Sequence, residues 1–293
     1  MRSLILTLIL FFFNLPLLSE ENKIFFSSSL NGNLLSCTCT KVPIAGLSRR
    51  VSFGNKIKWD KEKDILIEVG DFFSLSDSPI KKKAILEAYS LMGYTALIPG
   101  KNELTYHNSK TWSQWKKFPI ISTNLYSKSF FGKNTITDPL KIIKKNGKKI
   151  GILSFTGKSI FDLIPKSISE TYEIENDSDL IEKIILNYSV DFWIVGLYGN
   201  SNDLITYTKV FPNNTIFLGG GEVCKNQKNG ISTTSKGQKI YCTSGKNGDE
   251  IGEILLNSQT GKVKSFKLHT IDIDAMTDSP EILQIADKYQ IKP

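Results

Sequence analysis

The chain is short of arginine, histidine and long apolar runs, and each shortage excludes something. Only Arg2, Arg49 and Arg50 are arginine among its 37 cationic residues, and the rest are lysine. Arginine offers a planar fork that grips phosphate or guanine in two places, whereas lysine is a solvated point charge. The lysines are scattered in groups such as Lys81-Lys82-Lys83, Lys144-Lys145 and Lys148-Lys149, with carboxylates between most groups and no basic stripe interleaved with aromatics. The formal net charge of +8 therefore reads as a lysine-rich solvated surface, and no nucleic-acid partner is expected. No apolar run reaches the ~20 residues of a membrane-spanning helix, so no integral membrane segment is expected in the mature chain. Glycine (21) and proline (10) are too few for a collagen-like or low-complexity chain. What is present is ordinary globular composition, 40% hydrophobic and 23% charged over 293 residues, with no solenoid or propeller repeat.

Residues 1–19 carry one cation, Arg2, followed by the apolar run Leu4 to Phe13 and a break at Asn14 and Pro16. This is the layout of a secretory signal peptide cut near Ser19-Glu20, and it places the mature protein in the periplasm or outside the cell. No cysteine follows the run, so a bacterial lipoprotein anchor is not indicated. In an exported chain the four cysteines, Cys37, Cys39, Cys224 and Cys242, are disulfide candidates. A bond between Cys37 and Cys39, one residue apart, would be strained, so each is expected to reach Cys224 or Cys242. Free thiols and a four-thiolate metal site are the alternatives, although the Cys37-Thr38-Cys39 spacing is a weak metal signal. No Cys-x-x-Cys-His haem attachment motif occurs.

Along the mature chain apolar strands alternate with amphipathic helices. Strands are predicted over residues 23–28, 64–69, 96–99, 150–155, 191–197 and 215–218, and helices over 47–53, 80–92, 177–188 and 202–210. Strand, loop and helix in repetition predict an α/β layered sheet. Residues 240–242, 250–256 and 262–271 read as antiparallel strands. Ser279-Pro280-Glu281 then supplies an N-cap, a proline at N1 and an acidic first turn for a last helix ending near Tyr289. No linker long enough to separate domains appears, so residues 20–293 read as one domain.

In open α/β sheets, ligands collect outside the carboxyl ends of the strands. Here those ends carry Ser29-Leu30-Asn31-Gly32-Asn33, Gly70-Asp71-Phe72-Phe73, Gly100-Lys101-Asn102-Glu103, Gly196-Leu197-Tyr198-Gly199 and Gly219-Gly220-Gly221-Glu222. Five glycine-bearing strand ends in this order resemble the motif blocks of calcineurin-like metallophosphoesterases, in particular the catalytic domain of bacterial periplasmic 5′-nucleotidases. The resemblance implies an αββα sandwich with mixed sheets. It also implies a site for two divalent ions (Mn, Zn or Mg), and no C-terminal nucleoside-binding domain is expected.

Most of the family's ligands have no counterpart. Ser29 and Asn31 stand where the first block has Asp and His, and Lys101 and Asn102 where the third has Asn and His. Leu197 aligns with the histidine of the fourth block, and Gly221 and Val223 with those of the last. Asp71 matches the bridging aspartate and Glu103 the acidic residue of the third block. The two histidines, His107 and His269, fall on no motif position. One good ligand, Asp71, helped weakly by Asn31, cannot hold two transition-metal ions. Lys101 is expected either to pair with Asp71 in the emptied site or to be solvated. Arg49 and Arg50 are candidate phosphate ligands or surface ion-pair partners. Two functions stand. The first is an exported module without catalysis or cofactor that binds an unidentified protein or small phosphorylated ligand. The second is a divergent phosphoester hydrolase using Asp71, Asn102, Glu103 and one divalent ion.

Overall fold

The structure, a computed structural model, describes residues 21–38, 43–105, 109–130, 132–175, 178–225, 227, 229–234, 237–243, 247–257 and 260–292. The predicted signal segment 1–19, Cys39 and His107 lie outside the described residues. In the first half the strands are β1 (Lys23–Ser27), β2 (Ile65–Val69), β3 (Ala96–Ile98), β4 (Leu125–Ser129), β5 (Gly132–Thr135), β6 (Lys141–Lys145) and β7 (Lys148–Thr156). The second half adds β8 (Tyr172–Ile174), β9 (Phe192–Tyr198), β10 (Ile216–Gly220), β11 (Ile231–Thr233), β12 (Lys239–Cys242), β13 (Glu250–Leu256) and β14 (Val263–Thr270). The helices are α1 (Gly46–Lys56), α2 (Pro79–Leu91), α3 (Lys101–Thr105), α4 (Ser109–Trp115), α5 (Lys166–Ser169), α6 (Ser178–Asn187), α7 (Ser201–Thr208) and α8 (Pro280–Lys288).

Two mixed sheets face each other. One has the order β14-β13-β1-β2-β3 and the other β11-β12-β10-β9-β7-β6, and a small sheet β5-β4-β8 stands beside them. Both faces of each large sheet are covered, which is why the central strands read as unbroken apolar runs rather than alternating ones. Inward side chains, among them Ile24, Ile67, Ile98, Ile152, Ile194 and Leu218, form the layer between the sheets. The outward partners of the first sheet, such as Phe25, Leu66 and Leu97, pack with residues of α1, α2 and α8. Those of the second, Leu153, Val195 and Phe217, pack with Ile181 of α6 and Tyr207 of α7. Each fully buried aliphatic side chain contributes about 1.5–3 kcal/mol. The result is the expected αββα sandwich.

Capping residues start the helices where the sequence places them. Ser78 Oγ accepts the Lys81 N–H at 3.2 Å with Pro79 in the first turn, and Ser279 caps α8 ahead of Pro280 in the same way. One strand departs from its expectation. β12, predicted antiparallel, runs parallel to β10 with Phe217 opposite Ile240, and pairs antiparallel only with β11. Residues 221–238 between β10 and β12 are long enough for the chain to cross back and enter in the same direction. The small sheet was not anticipated, because β5 is Gly-Lys-Asn-Thr, exposed throughout, and offers no apolar alternation to read.

Candidate functional site

The loops after β1, β2 and β3 are laced together by their backbones. The N–H groups of Ser29, Asn31 and Gly32 donate to the carbonyls of Gly70, Asp71 and Phe72 at 2.9, 2.8 and 3.2 Å, and the Gly70 N–H donates to Ile98. Holding this lacing puts Ser29, Asn31 and Asp71 in the left-handed region, at φ of 54°, 52° and 54°. Side-chain-bearing residues are strained there, and such strain concentrates at functional sites.

Asp71 is the centre of the arrangement. Its Oδ2 accepts the Tyr198 phenol at 2.5 Å and its Oδ1 accepts the Asn102 N–H at 3.0 Å. Tyr198 is 2% exposed. A Cβ on Gly70 or Gly100 would collide with its ring, and one on Gly220 or Gly221 would press against it at 3.2 and 3.1 Å. Four glycines at the strand ends thus form the seat of one aromatic ring. Burial, reinforced by the charge on Asp71, holds the Tyr198 phenol well above its ordinary pKa, so it stays a donor. Burial also raises Asp71, against the hydrogen bonds from Tyr198 and Asn102.

Glu103 supports the same loops from beneath. Fully buried on α3, it accepts three backbone N–H groups, from Phe73 at 2.8 Å, Asp71 at 2.9 Å and Gly100 at 2.7 Å. Burial first and the nearby Asp71 second push its carboxyl up to about 8, against those three donors. The Asn102 amide donates to the Phe73 carbonyl at 2.7 Å and to Asn31 Oδ1 at 3.3 Å. Asn31 in turn faces Asn247, a contact between amides with no charge in it.

The structure brings Ser29, Asn31, Asp71, Asn102 and Glu103 together and moves other candidates away. The Lys101–Asp71 ion pair does not form: among the described residues Asp71 is met by a phenol and a backbone N–H, and the Lys101 charge acts on it only from longer range. Leu197 points to the opposite face of its strand, into the cluster that holds Val195 and Val223. The next residue, Tyr198, is the one that enters the site. Counting by twos along β9 from Ile194, whose side chain lies between the sheets, would have found it. Gly221 touches the Tyr198 ring, while Val223 is anchored by its N–H to the Gly199 carbonyl at 2.7 Å.

Both arginines are engaged elsewhere in the fold. Arg50 is completely buried behind the first sheet, where Nη1 pairs with Glu68 at 2.6 Å and donates to Ser27 at 2.8 Å. Arg49 donates to the Ile273 carbonyl at 2.5 Å and fastens the segment leading to α8. α1 carries both toward the core and the C-terminal segment. The expected cysteine pairing also fails. Cys224 and Cys242 bond to each other, with Cα atoms 5.6 Å apart, so neither reaches the first loop, and Cys37 is itself disulfide-bonded. Parallel β10 and β12 explain the pair. Gly219, opposite Cys242 in the register, has no side chain, and a Cβ there would strike both sulfurs.

A dimetal centre does not fit this arrangement. Among the described residues no three His, Cys, Asp or Glu side chains gather to hold an ion. Each oxygen of Asp71 already accepts one hydrogen bond, and the Tyr198 ring packs against the strand-end glycines around it.

No protein-family model matches the chain, and no curated protein matches it in sequence. Solved structures do. A 5′-nucleotidase precursor from Thermus thermophilus superposes with a TM-score of 0.68 at 14% identity, over 92% of this chain and 58% of that one. A 5′-nucleotidase from Candida albicans gives 0.64 at 13%, over 92% and 53%. The calcineurin-like phosphoesterase YfkN of Bacillus subtilis gives 0.69 at 15%, over 92% of this chain and 96% of that one. The chain thus spans somewhat more than half the length of the nucleotidases it resembles. Taken with the two facing sheets and the five glycine-bearing strand ends, these likenesses establish that the chain has the fold of 5′-nucleotidases and calcineurin-like phosphoesterases.

Proposed function

We propose that this chain is an exported binding or scaffold module that has kept the metallophosphoesterase fold and given up its dimetal chemistry. One observation carries the reading: the Tyr198 phenol on Asp71, in a seat of four glycines. Two-metal hydrolysis needs a bridging carboxylate and further imidazole or carboxylate ligands around ions about 3.5–4 Å apart. Here neutral donors hold the carboxylate, and amides stand around it where imidazoles would be needed. The Cys224–Cys242 disulfide and the signal-like residues 1–19 support an oxidising compartment outside the cytoplasm. The described residues contain no helix long and apolar enough to cross a membrane. A protein or a small phosphorylated molecule is the partner this reading expects.

Metal content and hydrolysis of p-nitrophenyl phosphate, measured with Mn2+, Zn2+ or Mg2+ on protein made in an oxidising compartment, test the reading. The expected result is no stoichiometric metal and no turnover that depends on Asp71. One or two ions per chain, with turnover abolished by Asp71→Ala, would overturn it in favour of a divergent hydrolase using Asp71, Asn102 and Glu103.

A further inference from the structure

The lysine run at 81–83 does not stay together in the structure. Lys81 pairs with Asp77 at 2.9 Å and Lys83 is exposed, but Lys82 is only 8% exposed. A cavity of about 580 Å3 opens there, between the N-terminal half of α2 and the end of α4 with the turn that follows it. Its volume falls in the range of small-molecule sites, about 300–1,000 Å3. Trp115, Phe118 and Leu86 supply apolar wall, and Lys82, Lys83 and Lys117 supply charge, while no carboxylate among the described residues lines it.

All three lysines lie against aromatic faces, Lys83 with its ammonium 5.7 Å from the centre of the Tyr289 ring, outside the lining. The Lys82 ammonium sits 5.8 Å from the centre of the Phe73 ring, and that of Lys117 sits 5.2 Å from the centre of Phe118. Burial lowers the pKa of Lys82 against the pull of Asp77 and Glu103, which act from outside the lining, and among the described residues the charged groups that bound the cavity are cations. The first turn of α2, capped by Ser78, adds the positive end of a helix dipole at one rim. An apolar floor with a cationic rim complements a molecule that is flat at one end and anionic at the other.

We propose that this cavity binds an organic anion with a planar apolar body, its ring on Trp115 and Phe118 and its charge toward Lys82 and Lys117. The cavity lies on the helical face of the first sheet, where Trp115 packs on Phe73 of the loop after β2, and none of its lining residues belongs to the Asp71 cluster.

Calorimetry on the full chain with naphthalene-2-sulfonate and its uncharged isostere naphthalene-2-sulfonamide tests the proposal. The sulfonate is expected to bind one-to-one and at least ten-fold tighter than the sulfonamide. Lys82→Met and Lys117→Met should each weaken the sulfonate at least three-fold and leave the sulfonamide unchanged. Lys117 is exposed, so its variant keeps the test valid if Lys82→Met fails to fold. No binding, equal binding of the two probes, or sulfonate affinity unaffected by Lys117→Met would overturn the proposal.

Discussion

Two buried carboxylates three residues apart on the same chain segment are stabilised in opposite ways. Glu68, on β2, is met by the full charge of Arg50 at 2.6 Å and by the Ser27 hydroxyl at 2.5 Å. Burial disfavours the Arg50 cation, yet Glu68 and the neighbouring tyrosines outweigh burial and hold it above its ordinary value. Asp71, just beyond the strand, is met by a phenol and a backbone N–H, and Glu103 beneath it by three backbone N–H groups. Neither has a cation within ion-pair distance among the described residues. Both are therefore raised by burial, Glu103 to about 8. The difference separates a charge compensated inside the chain from charge gathered in a fold whose relatives include phosphoesterases. The first pair is structural cement, and the second is a concentration of acid held by dipoles.

The comparison is broken most directly at Arg50. Removing one partner of a buried pair strands the other, so Arg50→Met should cost about 3–5 kcal/mol in urea unfolding. Adding Glu68→Leu should recover part of that loss. A cost below ~1 kcal/mol for Arg50→Met would mean that Glu68 does not need its cation.

Acid titration probes the other centre. Glu103 has a folded pKa raised from 4.5 to about 8, so between those values the folded protein holds a proton that the unfolded chain releases. Its contribution is fully present below pH 4.5, declines as pH rises to 8 and is flat above, a change on the order of a few kcal/mol. Urea midpoints across this range should fall with pH, and Glu103→Gln should flatten the slope. A rising slope would mean that the three N–H donors win over burial.

Tyr198→Phe removes one hydrogen bond to a buried carboxylate and keeps the ring, for an expected loss of about 1.5–3 kcal/mol. A neutral result would show that the ring, not the hydroxyl, occupies the site. The smallest effect belongs to a cation pairing in water. Lys288 meets Glu87 at 2.6 Å with its own side chain more than half exposed, and Lys288→Ala should leave the urea midpoint close to that of the parent. Those two values, with the Arg50 value, scale the comparison from buried ion pair to buried dipole to surface pair.

Much of the fold was legible because it rests on local rules. The apolar runs read at 64–69, 150–155 and 191–197 fall within a residue or two of the central strands Ile65–Val69, Lys148–Thr156 and Phe192–Tyr198, and Ser78-Pro79 and Ser279-Pro280 open helices as capping chemistry requires. The site was legible only to a degree. Asp71, Asn102, Glu103 and Asn31 meet as their strand-end positions imply, but Tyr198 was hidden behind Leu197, because a one-residue slip on a strand turns every side chain to the other face. The partners of Arg50 and Cys224 were not legible. Glu68 and Cys242 lie 18 residues away in the chain in each case, and only the packing of α1 on β2 and the parallel register of β10 and β12 bring the partners together.

Composition, periodicity and turn chemistry determined the layers of this protein, its basic exterior and the glycine-marked strand ends, because those follow from interactions between residues near one another in the chain. Tertiary structure alone decided which side chain sits on Asp71, which lysine of residues 81–83 is buried against an aromatic wall, and which cysteines bond. Each of those outcomes turns on distances between segments far apart in sequence, and a change of one residue in register or one turn in crossover length would give a different answer.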